Sequence, residues 1–266
     1  MKKPVFFVQN NYVGHITEPL SEFVREHGYA LEDRSSSVEF NPDDCWIDWS
    51  EYHPVMPYGS VQFVRKLKHS PALGKYILYS EEAFSTAYWT NIFGAQCVNY
   101  RGSSMTVKQV TERLAKGERM HVRPDYEDKA FIAKVFTHDS WQAICAERYL
   151  RDDLMCWASP EVVLHGEWRC WIIGGEVVEI SQYRKDGKMH RVVDESSEVW
   201  QAARRLASIY TPAPCVVIDV ALTPEGYQVL EFNPIHGAGW YAARLSRIIP
   251  AWHDWSVKFF GPAKEL

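Results

Sequence analysis

Residues 215–241 read CVVIDVALTPEGYQVLEFNPIHGAGWY, and the reading of this stretch decides that of the chain. Residues 216–222 are apolar except for Asp219, and 227–232 form a second run that ends near Glu231, with Asn233 just beyond. Between them Thr-Pro-Glu-Gly has the composition of a hairpin turn. Antiparallel pairing of the two runs brings Asp219 near the end that carries Glu231 and Asn233. Residues two apart on a strand share a face, so Glu231 and Asn233 project together. Two carboxylates and an amide oxygen form a hard oxygen cluster of the kind Mg²⁺ uses on nucleotide phosphates, where one or two carboxylates are completed by phosphate and water. The same residues also suit a solvated edge hairpin. Asp219 weighs against that reading, because an acid inside a valine and isoleucine run is costly to bury unless a cation pairs with it.

An Asp on one strand, a Gly-containing turn, then Glu-Phe-Asn-Pro and a loop with glycines resembles the C-terminal metal-binding signature of the ATP-grasp ligases. Asp219, Glu231 and Asn233 occupy the matching positions, and the resemblance extends over roughly residues 101–243. It implies an α/β and α+β chain. A small N-terminal α/β domain at 1–100 would precede a two-lobed ATP-grasp domain at 101–266, with lobes at about 101–158 and 159–266. ATP and Mg²⁺ are the implied cofactors. The segment that holds adenine in that family matches Ser-Pro-Glu-Val-Val-Leu-His-Gly-Glu at 159–167. By position Glu161, Val162 and Val163 flank the base, which backbone groups recognise. Glu167 resembles the acid that accepts ribose hydroxyls, and a surface acid in a hairpin is its other reading. Arg169, two residues on and on the same strand face, is suited to bidentate contact with phosphate or a substrate carboxylate.

The chain departs from the family pattern in two places. Where a Lys-Pro strand end usually leads into a glycine-rich phosphate loop, this sequence has Val122-Arg123-Pro124 followed by Asp-Tyr-Glu-Asp-Lys at 125–129. Arg123 takes the lysine position, and without glycines the loop amides wrap a phosphate less freely. Lys129 and Lys134 are the expected replacement cations, with 125–129 expected as a lid over the nucleotide. The second departure is Val217, where many members carry an arginine two residues before the metal Asp. Arg184 is expected to supply that charge, with Arg244 and Lys188 as competitors. Lys129, Arg169 and Arg184 are therefore the catalytic candidates.

The resemblance implies a ligase that activates a carboxylate as an acyl phosphate and lets an amine displace the phosphate, on small-molecule or peptide substrates. The rival readings are phosphoryl transfer without ligation, an inactive nucleotide- or sugar-binding module, and a metal hydrolase built on His15, His53, His165 and His236. A net charge of −5 and pI near 6.1 give no signal for bulk nucleic-acid binding. No apolar run reaches the ~20 residues of a membrane helix and the N-terminal apolar stretch is too short for a signal peptide core, so a cytoplasmic protein is expected. Six scattered cysteines without a Cys-x-x-Cys pair read as core residues, and most of the eleven tryptophans as core rather than a sugar platform.

Elsewhere the pattern predicts a strand at 4–8 and a helix capped by Thr17, then a helix at 61–69, a strand at 76–79 and a helix at 81–93. Residues 39–58, rich in Pro, Asp and Trp, show no clean period and read either as a long loop that carries function or as an aromatic-packed connection. A capping box of Thr106 and Gln109 opens a helix. Strands follow at 119–123, 131–136, 154–157 and 161–164, with a helix at about 139–149. A hairpin turns at Gly174-Gly175, and 195–210 is helical.

Overall fold

The structure, a computed structural model, describes residues 2–9, 14–33, 47–125 and 130–261. Of the lid expected at 125–129, residues 126–129, with Lys129, lie outside them, as do 39–46 and the His15 side chain.

The first layer is a parallel sheet in the order β2-β1-β3, built from β1 (Lys3–Val8), β2 (Ala30–Glu32) and β3 (Tyr52–Tyr58). Helix α1 (Gly14–Glu26) crosses between the first two. Strand β3 lies in the stretch read as a loop or connection. Its sequence YHPVMPY hides it for two reasons: five consecutive residues are buried, which erases the two-residue period, and two prolines interrupt it. Prolines are tolerated because β3 is an edge strand, where a missing N–H costs no ladder bond.

Three further expectations change here. Thr17 lies inside α1 rather than capping it. Residues 76–79 form no strand: a 3₁₀ turn at Gly74–Tyr76 leads into an irregular segment. After α2 (Val61–Lys68), the expected helix at 81–93 is two helices, α3 (Glu81–Phe84) and α4 (Thr86–Phe93). Ser85 separates them, because its hydroxyl caps α4 by accepting from the Tyr88 N–H.

The second sheet, in the order β4-β7-β5-β6, is antiparallel and contains β4 (Ser103–Thr106), β5 (Met120–Pro124), β6 (Lys134–Phe136) and β7 (Met155–Ser159). Helices α5 (Val107–Leu114) and α6 (His138–Arg148) cover one face, where Trp141 meets Phe131 and Phe136 edge to face. The capping box is present, with both Thr106 and Gln109 bonds formed. After β7 the expected strand at 161–164 is irregular chain without ladder bonds, a connector to the next sheet.

The third sheet runs β10-β9-β8-β11-β12, formed by β8 (Gly166–Ile173), β9 (Glu176–Lys185), β10 (Lys188–Val193), β11 (Cys215–Thr223) and β12 (Gly226–Pro234). Every neighbouring pair is antiparallel. Gly174 and Gly175 turn the β8–β9 hairpin at φ of 60° and 88°, the pair of positive angles a primed turn demands. Helix α7 (Ser197–Ile209) packs on this sheet, and α8 (Leu245–Phe260) packs on β3, β8 and β9.

One apolar cluster joins Val5, Phe7 and Val55 of the first sheet to Cys170, Ile218 and Phe232 of the third, so these layers share a core. Trp89, Trp141, Trp171 and Trp252 are each fully enclosed, and four of the five described cysteines are buried. Both residue types serve packing.

Candidate active site

The register of the third sheet lines up a row of side chains across four strands. Glu231 on β12 lies opposite Asp219 on β11, Asp219 opposite Arg169 on β8, and Arg169 opposite Ser181 on β9. Directly opposed residues share a face, so the row presents a continuous polar surface. Beyond Asp219 the β11–β12 register shifts, leaving Leu230 as an extra residue whose carbonyl is free of the ladder.

Asp219 is 1% exposed, and the cation that makes its burial tolerable is Arg169. The guanidinium donates from Nε to Oδ1 at 2.9 Å and from Nη2 to Oδ2 at 2.7 Å, a bidentate fork. Asn233 Nδ2 donates to Asp219 Oδ2 at 3.3 Å and to Glu231 Oε1 at 3.1 Å, so the three sequence-selected residues converge. Arg123 reaches over from β5 of the second sheet, donating to Glu231 Oε2 at 3.0 Å and to the freed Leu230 carbonyl at 3.2 Å. It joins the two sheets across the cleft.

The charges in this row are strongly coupled. Burial, with the Glu231 carboxylate adding to it, pushes the Asp219 pKa up to about 7 against the opposing pull of Arg169. Burial also raises Glu231, but Arg123, Arg169 and the Asn233 N–H outweigh it and leave that carboxyl below its ordinary value. Two carboxylates this close, one of them raised by burial and by its neighbour's charge, leave a place where a further cation is favourable. That observation, with an all-oxygen donor set and oxygen lone pairs still open, fits a Mg²⁺ ion that brings phosphate oxygens with it. The amide of Asn233 offers its own oxygen by a flip about its last torsion.

Arg169 is enclosed further by aromatic rings. Its guanidinium carbon lies 4.7 Å from the Tyr241 ring centre and 5.8 Å from that of Tyr183, and those rings stack at 4.7 Å. Nη1 donates to the Gly239 carbonyl at 3.2 Å, which fixes the loop after β12. Tyr241 holds a left-handed backbone, φ 51°, unusual for a large side chain. The Tyr183 hydroxyl donates to Glu167 Oε2 at 2.8 Å. Glu167 is 7% exposed and is not a surface acid. Arg184 Nε stands 3.6 Å from Glu167 Oε1 and opposite it in the ladder. Val217 is opposite Trp171, four positions farther along β8, so Arg184 stands roughly 13 Å along the strands from Val217, whose missing charge it was expected to supply. Val217 itself is packed with Trp171 and Trp240 in an apolar cluster.

Lys134 is opposite Val122 on β5 and so belongs to the helix-covered face of its sheet, with Nζ 5.0 Å from the Phe136 ring. Arg123 and His121 occupy the other face, toward the cleft. Glu161, Val162 and Val163 line a pocket of about 220 Å³ together with Val98, Thr223 and Gln228. Glu161 also pairs with Arg119 at 3.1 Å.

His53, His165 and His236 do not meet. His53 contacts the Tyr76 hydroxyl, His165 lies 3.8 Å from Asp186, and His236 is enclosed elsewhere. Among the described residues no three His, Cys, Asp or Glu side chains converge to hold a metal. His121, Asn99 and Tyr241 were not selected from sequence, since nothing in their spacing distinguishes them from core residues. His236 is a fixed junction: Nε2 accepts from the Leu78 N–H at 2.8 Å and Nδ1 donates to the Pro57 carbonyl at 2.8 Å. Burial drives its pKa down to about 4, against a lesser upward pull from the Pro57 bond.

A family model described as ATP-grasp domain, R2K clade family 3, matches residues 57–251. No curated protein sequence matches the chain. Among solved structures, the D-cycloserine synthetase DcsG superposes with a TM-score of 0.64 at 14% identity, over 97% of this chain and 100% of that one. The D-alanine–D-alanine ligase of Bacillus anthracis gives 0.61 at 12% identity, over 96% of each chain. A RiPP-associated ATP-grasp ligase of Chryseobacterium gregarium, in complex with ADP and a leader and core peptide, gives 0.52 at 11% identity, over 98% of each. At such identities the shared property is the fold. No described helix is long and apolar enough to cross a membrane.

Proposed function

The chain belongs to the ATP-grasp family, R2K clade, and from that premise we propose that it is an ATP- and Mg²⁺-dependent ligase joining a carboxylate to an amine through an acyl phosphate. The observation that supports this reading is the row of Glu231, Asp219 and Arg169 facing Arg123 across an inter-sheet cleft, with the pocket of Glu161, Val162 and Val163 at its side. The base takes the pocket. Glu167 accepts from the ribose, as its burial beside Tyr183 allows. Arg123 turns from Glu231 toward the phosphates as they enter.

Glu231, Asn233 and Asp219 hold the magnesium, which when bound neutralises phosphate charge and favours in-line attack. Arg169 is the better candidate than Arg184 for the charge missing at Val217. It is fixed in place by Asp219, Gly239 and two tyrosine rings, and a donor held before reaction stabilises developing oxyanion charge without reorganising. Arg184, beside Glu167, belongs to the nucleotide end. Substrates are a small or peptidic carboxylate and an amine.

The test is a screen of amino acids and short peptides for ADP release, with mass spectrometry of the products. A new amide formed in step with ADP is the expected result. A stable phosphorylated product without an amide would show phosphoryl transfer instead, and no ADP release with any acceptor would remove the ligase reading.

A further inference from the structure

The inner end of the cleft holds polar atoms that no described residue satisfies. Among the described residues, Asn99 Nδ2, His121 Nδ1 and Arg123 Nε are all buried without a hydrogen-bond partner. Asn99 is 2% exposed and held at its other polar atoms: Oδ1 accepts from Ser159 Oγ at 3.0 Å, and its carbonyl accepts from Trp157 Nε1 at 2.9 Å. Its amide N–H groups are therefore fixed in position and unused. The neighbours Val98 and Tyr100 both line the pocket of Glu161, Val162 and Val163. His121 on β5 is opposite Ser159, the last residue before Pro160, where the wall of that pocket begins. Cross-strand partners share a face, so the imidazole and the Ser159 hydroxyl, with Asn99 attached to it, stand together.

A buried polar atom without a partner costs free energy, and folds retain few of them. Two of them, on Asn99 and His121, next to residues that line one pocket, mark a place where a ligand completes the set. We propose that Asn99 and His121 read the polar edge of the purine base of the nucleotide, an inference that rests on the nucleotide reading above. The Asn99 amide donates to a ring nitrogen, and His121 Nδ1 meets a second polar atom of the base. Burial pushes the imidazole pKa down to about 4, with Arg123 adding to the shift, so the ring is neutral at working pH and adds no charge beside the base. Arg123, two residues along the same strand face, has its Nε left for the phosphates. The order His121 then Arg123 along β5 thus matches base then phosphate along the ligand. Backbone contacts at 161–163 hold the base whatever their side chains; Asn99 and His121 add selectivity.

Calorimetric titration of the intact protein with ADP and with UDP, both with Mg²⁺, tests this, because UDP keeps the ribose and phosphates but lacks the purine. His121→Phe keeps a ring and removes the polar nitrogen. It should weaken ADP by about tenfold, the scale of one buried hydrogen bond, leave UDP unchanged, and so narrow the wild-type preference for ADP. The ligand-free melting temperature should stay level or rise, because an unpaired polar group has been removed. His121→Gln should retain part of the ADP affinity and serves if the Phe variant does not fold. Unchanged ADP affinity, an equal loss for ADP and UDP, or a lower melting temperature with both nucleotides weakened would each overturn the assignment. Failure of the wild type to bind ADP at all would remove the nucleotide reading and this one together.

Discussion

Replacing His236 by Asn should flatten the acid side of the stability profile, and the size of the effect follows from two bonds. Neutral His236 accepts from Leu78 N–H and donates to the Pro57 carbonyl, so a proton added to Nε2 removes an acceptor and leaves a charge in the core. The folded pKa is about 4 against 6.5 when free. A depressed histidine makes the unfolded chain the better proton binder, so stability is fully present above pH 6.5 and drains away as pH falls toward 4. The full difference is about 3 kcal/mol, of which about 2 kcal/mol is lost by pH 5. Asp219, raised to about 7, works the other way, favouring the fold as pH falls from 7 toward 4. The wild-type curve therefore mixes opposing slopes, and the difference between wild type and variant isolates His236. Urea unfolding followed by tryptophan fluorescence at pH 7.5 and pH 5 measures it. The Asn variant should be less stable at pH 7.5 by about 1–3 kcal/mol for the lost Nε2 bond, and should then lose about 2 kcal/mol less than wild type on going to pH 5. Parallel slopes in the two proteins would refute the neutral, doubly bonded histidine.

Glu231→Gln keeps size and removes charge, so turnover should fall by orders of magnitude while folding survives; near-normal turnover at saturating Mg²⁺ would sink the metal assignment. Arg169→Met leaves Asp219 buried without its cation and should cost about 3–5 kcal/mol in urea unfolding, much of it recovered by adding Asp219→Asn. Strict additivity of the two changes would mean that the fork contributes no coupling. Arg184→Ala should raise KM for ATP several-fold with little change in kcat, given its place beside Glu167. A loss of ~10² or more in turnover would return the oxyanion role to it.

The hairpin that carries Asp219, Glu231 and Asn233 was legible because both its signals are local: two short apolar runs and a Pro-Glu-Gly turn between them. The primed turn at Gly174 and Gly175 and the Thr106 capping box were legible for the same reason. Strand β3 was not, since a strand buried on both faces has no two-residue period and its prolines argue against it unless its edge position is known. The break at Ser85 turned on a hydroxyl choosing the Tyr88 amide, a contest that helix periodicity does not register. At the site, the charge of Asp219 announced that a cation must be near, yet which cation depended on a register spanning 50 residues between Arg169 and Asp219. Asn99 and His121 gave no signal at all, because an unpaired atom is defined by its surroundings and not by its residue type.

The polar row has a bearing on how such a chain can change over generations. Its members Arg169, Ser181, Asp219 and Glu231 come from β8, β9, β11 and β12, and Arg123 faces them from β5; no two of these five are closer in sequence than Arg169 and Ser181 or Asp219 and Glu231. Arg169 and Asp219 are each nearly inaccessible to water, so altering either alone strands the other. A lineage can cross from this pair to a different one only by two changes in distant codons, with the intermediate paying in stability. The surrounding loops and the exposed face of β10 carry no such constraint. Substrate preference can therefore drift at the rim while the charged row stays as inherited.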